Sequence, residues 1–539
     1  MASDFRTLIK SDPSIGAGNF LFRYIDAADD RSRPLLEMDR PYRIGRQEFG
    51  PRVTIGEFAD CATALAAWYQ SRGVGIKDPV AVYLENAAGY YLHYVALTRI
   101  GAIPALINGG MDAATTADYL TRVRAVALMT DSRSAGIMDD LAGAKGITVF
   151  DDSSVHYEGL DVRQVRIHRH HDDDPVLIGH TSGTTGAPKA VQFNHAGFFH
   201  GVRRQLDHNF GAKIFSAVPH SHAAAFTFFM SCVARNTPLF IQTSFAPQDV
   251  LASVERQRPS LVFAFPKIFV DMCRHELGDY DLSSVDIWMA TGDSSHEPHI
   301  RKILAQASRG RDGNTPDYRA PVFIDNLGSS EMAFGILRNI HTLGSDKYDR
   351  CIGKPFQWVD LEIFDHDGEP AAVGTVGRLG VRAPSVTVGY WNDSVATEKS
   401  RWNGYWLTGD LVYRDAAGFY YHVDRTADKI LTHDRTLYSV QVEELVMKRF
   451  SEVFDCTAVG DYSSDGGISI ALAIEPVHAD IELAPLADAI ARFFTAAGLP
   501  SLGRIMMMEQ DWNVGVTGKK LKRVIREHIN SPEPSMQLT

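Results

Sequence analysis

Residues 181–190 read TSGTTGAPKA, and this stretch constrains the chain more than any other. Gly183 and Gly186 let the backbone come close to a ligand without a Cβ in the way. Thr181, Ser182, Thr184 and Thr185 add four hydroxyls. A loop of this kind between two regular elements presents consecutive backbone N–H groups, a nest that holds an anion, usually phosphate. Lys189 supplies a compact positive charge at the loop's end. Ile178–His180 reads as a strand end, and VQFNHAGFF after the loop opens a second strand or a helix. The loop is not a Walker A loop, because Ala187 and Pro188 separate Gly186 from Lys189.

The surrounding pattern predicts an α/β fold. TIGEFADCATALAAWYQSRGVGI (54–76) is an amphipathic helix with Thr54 as N-cap and Glu57 three residues later, the capping-box spacing. PVAVYLEN (79–86) is a strand, GYYLHYVALTRIGAIPALIN a helix followed by a strand, and ALMT (127–130) and ITVFD (147–151) continue the alternation. Strand, helix, strand at this spacing implies parallel sheets. DIWMATGDSS (286–295) and APVFIDNLGSSEM (320–332) each read as strand then turn. Such turns fall at strand carboxyl ends, where α/β sheets bind ligands. From about 351, short alternating runs separated by Gly and Asp predict antiparallel β structure, a small barrel or hairpin set.

At 539 residues the chain has room for roughly three to four domain-sized units. A net charge of −12 and the absence of a long basic run argue against nucleic acid as partner. Five scattered cysteines without C-x-x-C spacing, no apolar signal core and no long apolar run fit free thiols, no membrane span and a cytoplasmic address. HRHHDDD (168–174) offers metal-ligand residue types, but without one-face spacing it is expected to be a solvated linker.

The string 181–190 meets every fixed position of (S/T)-S-G-(S/T)-(S/T)-G-x-P-K-(G/A), and so resembles the phosphate loop of the adenylate-forming superfamily. The resemblance extends over about residues 50–530, with further motifs in the family's order. LGSSE (327–331) is similar to the family's Y-G-x-(T/S)-E: Gly328, Ser330 and Glu331 match, Ser329 fills the variable position, and Leu327 replaces the aromatic residue that covers adenine. Asn326 stands where it would meet the adenine amino edge. Asp410 in WLTGD is expected to hold the ribose hydroxyls, Arg425 in DRTAD to contact ribose or phosphate, and Lys519 in GVTGKK to reach the active site during adenylation. Glu331 is the expected Mg²⁺ ligand, since Mg²⁺ takes one or two carboxylates plus substrate oxygens. Pro219–His222 resembles the family's substrate-side P-x-x-H turn, so His222 faces the substrate oxyanion or is a turn histidine satisfied by backbone. His220, Gly292, Asp293 and Ser294 are the other expected pocket residues.

The implied architecture is a large domain (1–424) of parallel α/β sheets plus a small β-barrel, a hinge at 425–428, a smaller mobile α+β lid (429–530) and a disordered tail (531–539). The implied reaction joins an oxyanion to ATP with loss of pyrophosphate, and the adenylate then passes to an acceptor. PALINGGM (104–111) and the D-R-x-x-D form look most like the fatty-acid transport protein and very-long-chain acyl-CoA synthetase branch, which implies a carboxylic acid substrate and coenzyme A. Four departures from the thiol-transferring pattern stand out: Ala427 at the hinge, the pair His433 and Asp434 where a glycine passes the pantetheine arm, Gln441, and Asn513. A side chain at 434 crowds a thiol tunnel. The rivals are a superfamily member that activates nitrite and diazotises an aromatic amine, and a non-catalytic nucleotide-binding protein.

Overall fold

The computed structural model describes residues 2–28, 30–181, 188–293, 295–309, 320–348, 350–432, 436–462, 468–478, 480–508, 522–529 and 536–537. The expected capping box is present. The Thr54 hydroxyl accepts from the Glu57 backbone N–H, and the Glu57 carboxylate accepts from the Thr54 N–H at 2.8 Å. The helix they start runs Ile55–Ser71, and Gly73 leaves it at φ +84°.

Two sheets organise the larger part of the chain. One has seven strands, with Pro79–Leu84 and Ile103–Asn108 paired in parallel at its centre and buried along their whole length. Continuous apolar runs suit strands covered on both faces. At one edge, Pro175–His180 and Ala190–Asn194 pair antiparallel with His180 opposite Ala190, so the phosphate-loop sequence links the ends of a hairpin. In the second sheet Ile214–Ala217, Leu261–Ala264, Ile287–Thr291 and Val322–Leu327 run parallel. Thr291 stands opposite Asn326, which places the turns after these two strands side by side at the sheet's carboxyl edge. Helices from the two halves pack face to face: the Tyr91 and Tyr94 rings lie 5.1 and 4.7 Å from Phe226, and Phe58 lies 5.5 Å from Phe229.

The antiparallel strands expected as a small barrel do not stand apart. Leu337–His341 pairs antiparallel with Val322–Leu327, Cys351–Pro355 pairs with Leu337–His341 and with Tyr420–Arg425, and the order continues through Tyr405–Arg414, Gly377–Arg382 and Asp360–Phe364. They prolong the second sheet because Cys351–Pro355 has neighbours on both edges. Segment 168–174 is also less exposed than a solvated linker. His168 Nε2 lies 2.9 Å from Asp174, His170 Nε2 lies 2.8 Å from the Thr98 carbonyl, and the His170 ring stacks on His195 at 4.8 Å. The His168 and His170 rings fill space where Gly101 and Gly18 lack side chains.

The C-terminal region builds its own core. Helices Ser439–Arg449 and Leu483–Ala496 pack Val446, Ile490 and Phe494 against Ile474 and Ile505 of a four-stranded sheet. Met536 and Gln537, expected in an unstructured tail, pair with Ile505 and Arg504, because the outer edge of Leu502–Met507 offers them a ladder partner. All five cysteines are buried, and none is in a disulfide. Among the described residues no helix is long and apolar enough to cross a membrane.

Candidate active site

A cleft of about 660 Å³ opens at the carboxyl edge of the second sheet, and Thr181, Lys189, Asn326–Glu331, Asp410 and Arg425 all line it. Motifs far apart in sequence thus converge on one concave surface of the size that holds a nucleotide. Ser182–Gly186 lie outside the described residues, but both ends of their loop are placed. The Thr181 N–H donates to the Lys189 carbonyl at 3.1 Å, and the Lys189 N–H donates to the Thr181 hydroxyl at 3.0 Å. The loop is therefore pinched shut at its neck.

On one wall, Asp410 and Arg425 are cross-strand neighbours. Arg425 Nη1 donates to Asp410 Oδ1 at 2.9 Å and to the Thr408 carbonyl at 3.2 Å. Asp410 is 4% exposed. Burial alone would raise its carboxyl, but the Arg425 charge and the His422 ring, 3.3 Å away, hold it well below the ordinary carboxylate range. Asp410 is therefore a fixed anion, able to accept from ribose hydroxyls. His422 is in turn 2.9 Å from Arg350 Nη2, and Arg350 faces Asp325, whose carboxyl burial pushes up to about 7 against that cation's pull. Sequence reasoning missed Asp325, Arg350 and His422. They carry no motif and meet only because the order of strands in the second sheet, and the turn before Cys351–Pro355, bring them together.

Glu331 lies opposite. Its Oε2 accepts from the Ser329 hydroxyl at 2.6 Å, and its Oε1 from the Tyr390 hydroxyl at 2.9 Å. Burial and the Glu331 charge raise the Tyr390 phenol, so it stays protonated and donates. The Lys189 ammonium sits 4.8 Å from the Tyr390 ring centre. Tyr390 comes from the short strand Gly389–Tyr390 that pairs with Ala190–Asn194, and sequence gave no sign of it. Among the described residues each Glu331 oxygen accepts one hydrogen bond, which leaves it lone pairs, so an oriented carboxylate beside a phosphate loop fits a hard divalent cation. Leu327 and Gly328 also line the cleft, and Ser330 Oγ donates to the His180 carbonyl at 3.2 Å. The Asn326 amide N–H donates to the Ala290 carbonyl at 3.2 Å, which turns its oxygen into the acceptor toward a base.

The substrate-side expectations divide. His222 caps the helix Ala223–Arg235, its Nδ1 accepting from the Ala224 N–H at 3.2 Å. That makes Nε2 the protonated nitrogen, a donor, so the turn-histidine and substrate-facing readings are compatible. His222 lines a second, apolar cavity that shares Gly292, Asn326, Gly328, Ser329 and Ser330 with the cleft. Gly292 and Asp293 line the cleft. His220 does not line either cavity. It is fully buried, its Nδ1 is 3.1 Å from the Tyr91 hydroxyl, and burial pushes its pKa down to about 3. Its ring packs 5.5 Å from that of Tyr91 on the apolar helix Gly89–Arg99, which covers it. Ser294, His433, Asp434, Asn513 and Lys519 lie outside the described residues.

The pattern of the family described as AMP-binding enzyme matches residues 37–391. Over 98% of both chains the protein is 35% identical to a 3-aminoavenalumate diazotase from a Streptomyces species. It is 26% identical to a 3-amino-2-hydroxy-4-methoxybenzoate diazotase from Streptomyces cremeus, over 80% of this chain and 82% of the relative. The fold matches an anthranilate CoA ligase crystallised with anthranoyl-AMP, with a TM-score of 0.81 at 17% identity over 95% of this chain and 97% of the other. The expected kinship with the fatty-acid transport branch finds no support in these relatives. The chain belongs to the AMP-binding enzyme family and is an ATP-dependent, AMP-forming ligase of the adenylating type.

Proposed function

We propose that this enzyme is an ATP-dependent diazotase, which adenylates nitrite and passes its nitrogen to an aromatic amine. The observation that carries the reading is the 35% identity, end to end, with 3-aminoavenalumate diazotase. An apolar cavity walled by Phe228, Phe263, Phe334 and Met289 and joined to the nucleotide cleft suits a planar aromatic amine.

In the first step a nitrite oxygen attacks the α-phosphorus of ATP and pyrophosphate leaves. Asp410 and Arg425 hold the ribose, and Lys189, the loop N–H groups and Lys519 stabilise charge on the phosphates. Glu331 would hold Mg²⁺, which supplies charge neutralisation at the phosphate oxygens. In the second step the amine nitrogen attacks the nitroso nitrogen, the N–O bond to AMP breaks, and the amine loses a proton. His222 Nε2–H is the donor on the amine's side of the site. Protonation and loss of water from the N-nitrosamine then give the diazonium ion. The sum is amine, nitrite and ATP giving diazonium, AMP, pyrophosphate and water. Coenzyme A has no part in this sequence. Residues 425–428 would serve as the hinge on which the C-terminal domain opens and closes the site.

The test is AMP release against a panel with and without coenzyme A. Release that needs both nitrite and an aromatic amine, and ignores coenzyme A, is the expected result. Release driven by an organic acid, with a thioester product, would overturn the reading in favour of an acid–thiol ligase.

A further inference from the structure

We propose that Arg338, with Gln205 beside it, anchors a carboxylate on the far end of the aromatic amine, away from the reacting nitrogen. The inference rests on the diazotase reading, and it names the substrate class as an amino-aryl carboxylic acid. Arg338 belongs to Leu337–His341, directly across the ladder from Asn326, and it lines the apolar cavity. Its guanidinium lies 5.0 Å from the Phe356 ring centre. Among the described residues neither an Asp nor a Glu lines this cavity. No carboxylate among the described residues pairs with Arg338. Burial is the one cause that shifts it, and it shifts it down, as expected for a cation without a counter-charge.

Gln205 supplies the independent observation. It is 3% exposed and lines the same cavity, and its buried Nε2 has no hydrogen-bond partner among the described residues. A buried amide donor left unpaired costs free energy unless something accepts from it. A half-buried guanidinium and an amide N–H without a described partner, on two residues that line one phenyl-walled space, call for a planar anion. A carboxylate meets a guanidinium in a two-point pair.

The placement carries mechanistic meaning. Gly292, Asn326, Gly328, Ser329 and Ser330 line both the cavity and the nucleotide cleft, whereas Arg338 and Phe356, the residue after the strand Cys351–Pro355, line the cavity alone. A carboxylate fixed at Arg338 is withheld from the α-phosphorus, and the opposite end of the ring, with its amine, faces the adenylate. The same residue thus favours amine chemistry and disfavours adenylation of the acid.

The test uses 3-aminocinnamate and 3-aminocinnamamide, which differ in charge at one end. Binding to the full-length protein is measured by calorimetry, alongside nitrite-dependent AMP release. The parent is expected to bind the acid about tenfold or more tightly than the amide, the scale of a charged hydrogen bond. Arg338→Met is expected to bring that ratio near one, Arg338→Lys to leave an intermediate ratio, and Gln205→Leu to lower it as well. An equal affinity for acid and amide in the parent, or an unchanged ratio in Arg338→Met and Gln205→Leu, overturns the anchor whatever the kinetics show. A collapsed ratio without nitrite-dependent AMP release would sink the diazotase reading and leave the anchor standing.

Discussion

Asp424 and Ser439 bind each other across the boundary between the long sheet and the C-terminal domain. Asp424, fully buried near the end of Tyr420–Arg425, accepts from the Ser439 N–H at 2.6 Å and from its hydroxyl at 2.9 Å. Ser439 opens the helix Ser439–Arg449, so the carboxylate also complements the helix's positive end. The Ser439 hydroxyl meets Lys522, and Lys522 pairs with Glu443 at 2.9 Å. Asp424→Ala strands the Ser439 N–H and is expected to cost about 2 kcal/mol. Urea titration measures it, and a midpoint equal to the parent's would show that the contact contributes nothing.

Tyr390 orients Glu331 through a hydrogen bond to one carboxylate oxygen. Removing the hydroxyl in Tyr390→Phe keeps the ring under Lys189 but frees the carboxylate. The Mg²⁺ concentration for half-maximal AMP release should rise about tenfold, as for other partners that orient metal ligands. Identical Mg²⁺ titrations would mean that Glu331 is held in place by other contacts.

Asp325 gives stability a pH signature. Its carboxyl titrates near 7 when folded and near the ordinary carboxylate value when unfolded. Below about pH 4 both states hold the proton, and the group contributes nothing. Between there and pH 7 the unfolded chain releases the proton first, so stability falls as pH rises, and above 7 the loss is constant. Asp325→Asn should therefore melt progressively higher than the parent between pH 4 and 7, with a flat difference above. A difference that shrinks with rising pH contradicts this assignment.

Nitrite labelled with ¹⁸O distinguishes the bond that breaks. If a nitrite oxygen attacks phosphorus and the N–O bond later cleaves, one label ends in AMP and the other in water. Mass spectrometry of AMP reads this directly, and unlabelled AMP would exclude the nitrite adenylate.

Lys519→Ala should abolish AMP release and leave ATP affinity largely intact, because the lysine's charge acts on the transition state. Unchanged turnover would remove Lys519 from the catalytic group.

Much of this was legible in sequence because local rules govern it. The Thr54–Glu57 cap and the strand at 127–130 depend on neighbours within a turn or a run of alternation. Glu331, Asp410 and Arg425 were found because each sits in a short string of fixed spacing. Tyr390, Arg350, His422 and Asp325 were missed because strand order alone makes them neighbours. His220 was misplaced because its distance from His222 in the chain says nothing about which neighbours each ring meets, Tyr91 for one and Phe265 for the other. Arg338 and Gln205 carry no motif, and the cavity that joins them is built from several elements of the sheet and its helices.

The two hydrogen bonds at the neck between Thr181 and Lys189 separate anchorage from capture. A drawstring tied at both ends keeps its circumference whatever beads it carries. Substitutions at 182–187 should therefore be read out in affinity for the triphosphate while the hairpin beneath stays folded.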